Sequence, residues 1–516
     1  MLAKLDNLGA KGINTDIDPW DLPAEYLTDG YNFRVTNGGV ESHGSYEIDS
    51  VAPTNYEPGY GMVNRTRQGL FLILCGQTKV YKYFEAVYED ITPDNLQLNP
   101  GEEVFWSGCV NGGVAILNNK KNFPYYWAGQ GTLIDLPWDV AASSTWLSEN
   151  KRCDVIREHK NILIAMNLHE EDEYPDSFRW SHPADENGIP HTWDPTNTAG
   201  LAGKQALGGD GGAIIDGLSL RDSFVIYSER AINVLDLSGD EFVWSRRELS
   251  SSIGLLSKDC VVDVNGTHFL MTSGDIVTCD GSSIKSIAHN TIRELLKQSV
   301  NIDNTDAAFA VKIDAHKEVW FCVPEANSKT ASIVFIYNWQ DSTWAIKHLE
   351  VGTAYIVVTP RRAVPVETWD TVQGVWDDSL NKWSDTAAAD SFELVPYGIN
   401  KNKELQLLEP VSPVALTDTM VQRTDITLTN KLQVTLINKL YPHVNSKQPL
   451  YVQIGSQDRP GDAVRWQQAV LFDPANDRKI DVRTTGTLHA YRILSHAKDN
   501  FKFSGLDVIY EATGIR

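Results

Sequence analysis

Apolar and polar positions along this chain fall into short alternating runs that break at Gly, Asn or Asp. LFLILCGQTKVYKY reads as strand, Gly turn, strand. GCVNGGVAILNN, CDVIREHKNILIAMNL, LRDSFVIYSERAINVLDL, GTHFLMTSGDIVTCDGSSIKSIA and AAFAVKIDAHKEVWFCVPE repeat that form. Alternation bounded by turn residues predicts β-hairpins, because successive side chains of a strand point to opposite faces. One stretch, NTIRELLKQSV at 290–300, predicts a helix with Asn290 as its cap and Ile292, Leu295 and Leu296 on one face. Hairpins recurring at roughly 30–50-residue intervals with aromatics predict propeller blades, although an array of sandwiches has a similar hairpin count.

From residue 421 the texture changes. RTDITLTNKLQVTLINKLYPHV, PLYVQIGSQ, VRWQQAVLFD, KIDVRTTGTLHAYRILSH and FKFSGLDVIYEA are compact alternating strands that predict a C-terminal β-sandwich. Between the two regions lies ETWDTVQGVWDDSLNKWSD, in which Trp369, Trp376 and Trp383 recur every seven residues. The aliphatic partner of a helical heptad is missing, and Thr368, Thr371, Val372, Gly374 and Val375 form helix poorly. Three strand–turn units pinned by Trp fit better, and large aromatic bodies need a covering surface, so these three Trp are the candidate interface. The expected fold is all-β, with a propeller and N-terminal arm over 1–365, the Trp–Asp insert and a return hairpin over 366–420, and the sandwich over 421–516.

Composition narrows the function classes. The 516 residues are 42% hydrophobic and 22% charged, ordinary for a globular protein, and 15 Trp, 19 Tyr and 37 Gly favour strands and turns. No apolar run approaches a membrane span and MLAKLDNLGAKGINTD has no apolar core, so neither anchor nor signal peptide is expected. Cys75, Cys109, Cys153, Cys260, Cys279 and Cys322 form no CxxC pair, and four lie in or beside apolar stretches, which predicts reduced core thiols. A net charge of −23 opposes a surface that grips nucleic acid, since phosphate binding needs Lys and Arg.

Several segments, in order, resemble a family: the tail hub or nozzle proteins of short-tailed bacteriophages, including the packaged-DNA stabilisation proteins. GINTDIDPWDLPAEYLTDGYNFRVTNGGVESHGSY is similar to the family's N-terminal segment, and FRWSHPADENGIPHTWDP to its W-S-x-P…W hairpin. GLSLRDSFVIYSERAINVLDL and GLLSKDCVVDVNGTHFLMTSGDIVTCDG resemble the blades that follow. EVWFCVPE…IVFIYNWQDSTWAIKHL resembles the blade with a Tyr-Asn pair, a short turn and a Trp. KIDVRTTGTLHAYRILSH and FSGLDVIYEATGIR resemble the C-terminal sandwich. Thr487 and Leu488 depart from the family, which has a basic residue after the position of Gly486.

The resemblance implies a propeller with an attached sandwich and a structural virion protein. It would form a ring of six copies that extends the portal–adaptor channel, retains packaged double-stranded DNA and conducts it at ejection. Implied partners are the portal-adaptor protein, a tail fibre, spike or needle protein, and DNA passing without specific binding; assembly is in the host cytoplasm. An acidic lumen wall is expected to repel the DNA backbone over the screening length of about 8–10 Å.

Candidate chemistry is sparse. HEEDE at 169–173 could hold a divalent cation through oxygens, but neighbours in an extended loop diverge, which favours a solvated acidic loop. His182 and His191 fit no zinc spacing, and Asp303, Asn304 and Asp306 lack the Gly and distal Glu of an EF-hand. GGDGG at 208–212 lacks a following Lys-Ser or Lys-Thr. No catalytic residue, cofactor or metal is therefore expected. The rival readings are a glycan-binding receptor protein, with Trp369, Trp376 and Trp383 stacked on sugars, and a propeller glycoside hydrolase. Only QDSTW at 340–344 and SGDEFVW at 238–244 approach the S-x-D-x-G-x-T-W box of sialidase-like blades, and both lack its Gly at the required place.

Overall fold

A computed structural model describes the chain except residues 37, 67–68, 85, 97–104, 198–199, 239–242, 363–391, 410–417, 430–432, 497–500 and 515–516. Among the described residues, five four-stranded antiparallel sheets follow one another along the chain, then one seven-stranded sheet. The first five are blades 1 to 5, opening on Pro58–Thr66, Trp106–Asn111, Arg152–His159, Ile214–Leu220 and Val261–Val264. The seven-stranded sheet is two blades sharing a strand. Phe309–Ile313, Glu318–Val323, Ala331–Asn338 and the first part of Thr343–Arg362 make blade 6; the rest of that strand opens blade 7 with Phe392–Asn400, Glu404–Leu407 and Glu47–Val51. Inner strands pack on one another in turn, and that of blade 7 packs on blade 1, closing a seven-bladed ring.

The local reasons are those of tight hairpins. In blade 2, Asn111 faces Val114 across Gly112 and Gly113, at φ +55° and +83°, the doubly left-handed turn that matches strand twist. Between blades 6 and 7 the register jumps from Ile333 opposite His348 to Ala331 opposite Thr353, so one strand leaves one blade and enters the next. Gly352 sits in that jump, where a Cβ would lie 2.0 Å from Thr330 Oγ1, so a larger residue would require that side chain to move. The Tyr-Asn–turn–Trp segment closes blade 6: Tyr337 pairs with Trp344, ring centroids 4.8 Å apart.

The sandwich is built from both ends of the chain. One sheet orders Phe33–Thr36, Gly39–Ser42, Lys502–Gly514, Val434–Asn445 and Ile480–Gly486, with Leu2–Asp6 also on Lys502–Gly514. The other orders Asp29–Tyr31, Thr419–Ile426, Leu488–Ser495, Leu450–Gln457 and Arg465–Trp466, with Val470–Phe472 also on Leu450–Gln457. Phe33, Leu440, Tyr491, Phe503 and Val508 fill the space between them.

This division differs from the sequence expectation in two places. The N-terminal arm, expected with the propeller, pairs with the C-terminal sheets and gives the propeller only Glu47–Val51. The return hairpin, expected as part of an insert, supplies two strands of blade 7. The arm pairs with strands hundreds of residues away, as Leu2 with Ile509 and Val51 with Glu404, and the return hairpin joins blade 7 across the insert, so alternation along the chain could not assign either segment. The Trp–Asp repeat, with Trp369, Trp376 and Trp383, lies outside the described residues.

The helix is shorter than expected, Arg293–Ser299, and Asn290 does not cap it. Asn290 is left-handed at φ +59°, while Asp16 of the N-terminal arm accepts the N–H groups of Arg293 and Glu294 at 3.0 and 3.1 Å. A carboxylate from 277 residues away takes the place of the local cap.

Candidate functional site

Inner strands converge on the propeller axis, where blades 1 to 5 and 7 line a cavity of about 390 Å³. Its organiser is Arg157, which follows the buried Val155 and Ile156 on blade 3's inner strand. Its Nε and Nη2 donate to both oxygens of Asp216 at 2.8 and 2.7 Å, Nη2 also reaches Asp259 at 2.7 Å, and Nη1 reaches the Gly108 carbonyl at 2.9 Å. Asp216 additionally accepts the backbone N–H groups of Gly217 and Asp259 at 2.7 and 2.9 Å, and Lys258 pairs with Asp259. One guanidinium thus ties blades 2, 3, 4 and 5 together at the centre. Tyr60 and Tyr355, with ring centroids 4.8 Å apart, form an aromatic wall.

The electrostatics favour charge kept in place rather than moved. Burial alone would lower the Arg157 pKa, but Asp216 and Asp259 outweigh it and hold it well above the ordinary value. Burial pushes the Asp259 carboxyl up, yet Lys258 and Arg157 more than offset this and hold it below the usual range. The half-buried Cys109 thiol is pushed up to about 12 by burial, which leaves it un-ionised and a poor nucleophile. A glycoside hydrolase needs one carboxyl with a raised pKa as general acid. Here Asp216 and Asp259 both bind Arg157, and Asp259 is held below the usual range.

A second buried cluster joins the modules. Arg34, on a sandwich strand, binds Glu318 of blade 6 at 2.6 and 3.0 Å and also contacts Glu409, which follows blade 7. Trp320 Nε1 donates to Glu318 at 2.9 Å, and Lys347 stands 5.2 Å from the centroid of the same indole and donates to the Leu408 carbonyl at 3.2 Å. Burial pulls the Lys347 pKa down to about 8. Deeper in the same joint, Ile13 N–H donates to the Trp344 carbonyl at 2.9 Å beside Gly12, where a Cβ would stand 2.3 Å from that oxygen.

The residues singled out in the sequence fall elsewhere. In HEEDE, His169 binds Asp154 at 2.6 Å and contacts Glu173, while Glu170 pairs with Arg179 and Lys204 at 2.7 and 2.8 Å. His169 and Glu170 thus join ion pairs within blade 3, while Glu171, Asp172 and Glu173 are exposed at the turn, as expected of a solvated acidic loop, and Asp154 raises the His169 pKa. His182 and His191 have ring centroids 6.2 Å apart, and the His182 ring accepts the Leu201 N–H. GGDGG leads into the strand Ile214–Leu220, as its apolar continuation predicts; Asp303, Asn304 and Asp306 lie in a 3-10 turn, Ile302–Ala307. Leu488, at the family's basic position, is a buried core residue. All six cysteines are free thiols, and five are buried. Asp6, His443 and Asp507 bring ligand-type atoms within 4.8 Å of one another on neighbouring strands, and the His443–Asp507 ion pair at 3.5 Å accounts for that grouping.

Sequence reasoning missed Arg157, Asp216, Asp259, Arg34, Glu318, Lys347 and Glu409. Asp259 and Glu409 lie outside the strands, whereas for Arg157, Asp216, Arg34, Glu318 and Lys347 the signal was a charge beside apolar strand positions, as in DVIREH, AIIDGL, FRVT, KEVWF and WAIKHL. Such a charge is nearly always paired when buried.

No family model matches the chain, and no curated protein matches it. Among solved structures, the β-propeller domain of Cps50 (Swd1) from Myceliophteria thermophila aligns with a TM-score of 0.37 at 8% identity, over 60% of this chain and 92% of that one. BBS1N in complex with ARL6DN aligns at 0.39 and 8%, over 72% and 99%. YCF48 from Cyanidioschyzon merolae aligns at 0.38 and 9%, over 70% and 98%. Similarity of this extent carries no information about function, and the architecture rests on the strand pairing itself.

Proposed function

We propose that this chain is a structural virion protein of a short-tailed bacteriophage, a tail hub subunit that assembles into a ring and extends the portal–adaptor channel. The ring retains packaged DNA and conducts it at ejection without specific binding. The carrying observation is mechanical. The two chain ends weave one sandwich, and that sandwich is bolted to the propeller through the buried Arg34–Glu318–Glu409 cluster and the strand-like joint at Ile13 and Trp344. A body joined in this way transmits load as one piece, which suits a channel wall. The axial cavity of about 390 Å³, spanned by Arg157 and its carboxylates, is far smaller than any useful length of duplex, which supports a channel between copies rather than through one propeller. A net charge of −23 per copy suits a wall that does not hold phosphate. The motif series from GINTDIDPWDLP to FSGLDVIYEATGIR supports the same reading.

Electron microscopy of a tail or portal complex containing the protein tests it. The expected result is a closed ring, six copies by family resemblance, on the portal adaptor, with Asp and Glu exceeding Lys and Arg on the lumen wall. A single copy per complex sinks the ring, and a net-basic wall sinks the slippery-channel mechanism.

A further inference from the structure

His43 stands where the sandwich meets the propeller, 7% exposed, just beyond the strand Gly39–Ser42. Its Nε2 lies 3.2 Å from Arg34 Nη2, 3.4 Å from Lys347 Nζ and 3.2 Å from Glu409 Oε1, and its Nδ1 is buried without a hydrogen-bond partner. The ring also meets Trp320 edge-on, centroids 5.4 Å apart. With a neutral imidazole the joint is balanced, Arg34 and Lys347 against Glu318 and Glu409. A proton on His43 adds a third cation beside the first two, one of them across the joint on the propeller, at a residue only 7% exposed.

Other titratable groups around the ring do not supply a counter-charge at contact. His316 binds Glu409 at 2.8 Å from the more exposed side. Glu41 and Glu393 line the adjoining cavity of about 130 Å³; Glu41 is half-buried and Glu393 exposed, and neither forms an ion pair with His43 among the described residues. At neutral pH the imidazole stays uncharged, because burial, then Arg34 and Lys347, hold its pKa well below the ordinary value.

We propose that this joint is a proton-operated latch between the modules: it holds while His43 is neutral and loosens when the ring takes up a proton. Loosening means local opening of the strands Phe33–Thr36 and Gly39–Ser42 away from Glu318 and Lys347, while the blades stay closed. The latch follows from the joint's charge balance and does not rest on the tail-hub reading.

Hydrogen exchange of the full chain, followed from neutral pH to acid below the ordinary histidine pKa of about 6.5 and corrected for intrinsic rates, tests it. Amides at 33–42 should speed up by about tenfold or more relative to the blade-2 strand Val114–Asn119. His43→Gln should abolish the difference, and His316→Gln should leave it in place. Equal acceleration in wild type and His43→Gln, or none in wild type, overturns the latch. Should His43→Gln fail to fold, histidine-labelled NMR of the wild type decides. Opening must coincide with titration of the His43 ring, and opening at another pH overturns the proposal.

Discussion

A single charge inside an apolar strand is the residue-scale theme of this protein. Arg157, Asp216 and Lys347 each stand among apolar strand positions; Asp216 and Lys347 are buried, the Arg157 side chain is 11% exposed, and each has partners from other blades or from the sandwich. Asp216 is 1% exposed and accepts four hydrogen bonds, so Asp216→Ala leaves Arg157 Nε and two backbone N–H groups without their acceptor and the guanidinium with Asp259 as its one remaining carboxylate among the described residues. The expected loss is about 3–5 kcal/mol in denaturant unfolding; a loss below about 1 kcal/mol would mean that the network is not a tie between blades. Lys347 makes an alkaline prediction. Its folded pKa of about 8 lies below the ordinary 10.5, so between those values the unfolded chain binds more protons and stability rises with pH. Below about 8 the ammonium is charged in both states and the slope vanishes. Wild-type minus Lys347→Met stability should therefore climb by a few kcal/mol at most through that window, on the order of 1.4 kcal/mol per unit; parallel curves would refute it. The lone charges were visible in the sequence, but the partners of Arg157, 59 and 102 residues away, were not.

At the scale of elements, hairpins were legible and caps were not. The turn at Gly112–Gly113 and the left-handed pair Lys160–Asn161 fall where alternation breaks, because the conformation needed there is a property of the turn residues themselves. The helix shows the opposite case. Asn290 has the chemistry of a cap, yet the chain enters through a left-handed residue there and Asp16 reaches in instead. Asp16→Ala should cost about 1 kcal/mol, with faster hydrogen exchange over Arg293–Ser299. Asn290→Gly, which suits φ +59°, should be nearly neutral. If Asn290→Gly destabilises more than Asp16→Ala, the capping assignment is wrong.

For the whole molecule, the first 51 residues matter out of proportion to their length. They supply the outermost strand of blade 7 and strands of both sandwich sheets. Deleting residues 1–51 should remove cooperative unfolding altogether, because two cores lose edges at once and unpaired strands invite aggregation. Retention of the wild-type thermal midpoint would show that the arm is dispensable. The Trp–Asp insert carries the complementary prediction. Trp369, Trp376 and Trp383 changed together to Ala should impair ring docking in the assembly assay and leave the β circular-dichroism spectrum intact. Global unfolding of that variant would place the repeat in an intrachain core.

The sequence alone determined an all-β chain, hairpin after hairpin, with a second strand texture from residue 421 and cysteines in apolar surroundings. These are consequences of periodicity and composition, which act over a few residues at a time. Tertiary structure alone decided which end of the chain completes which sheet, that one strand serves two blades, that Asp16 caps a helix, and that lone charges meet at the axis and at the module joint. Those outcomes depend on which distant surfaces can be buried together. A buried charge or an open sheet edge says that a partner is required, and only the packing of the whole chain chooses it.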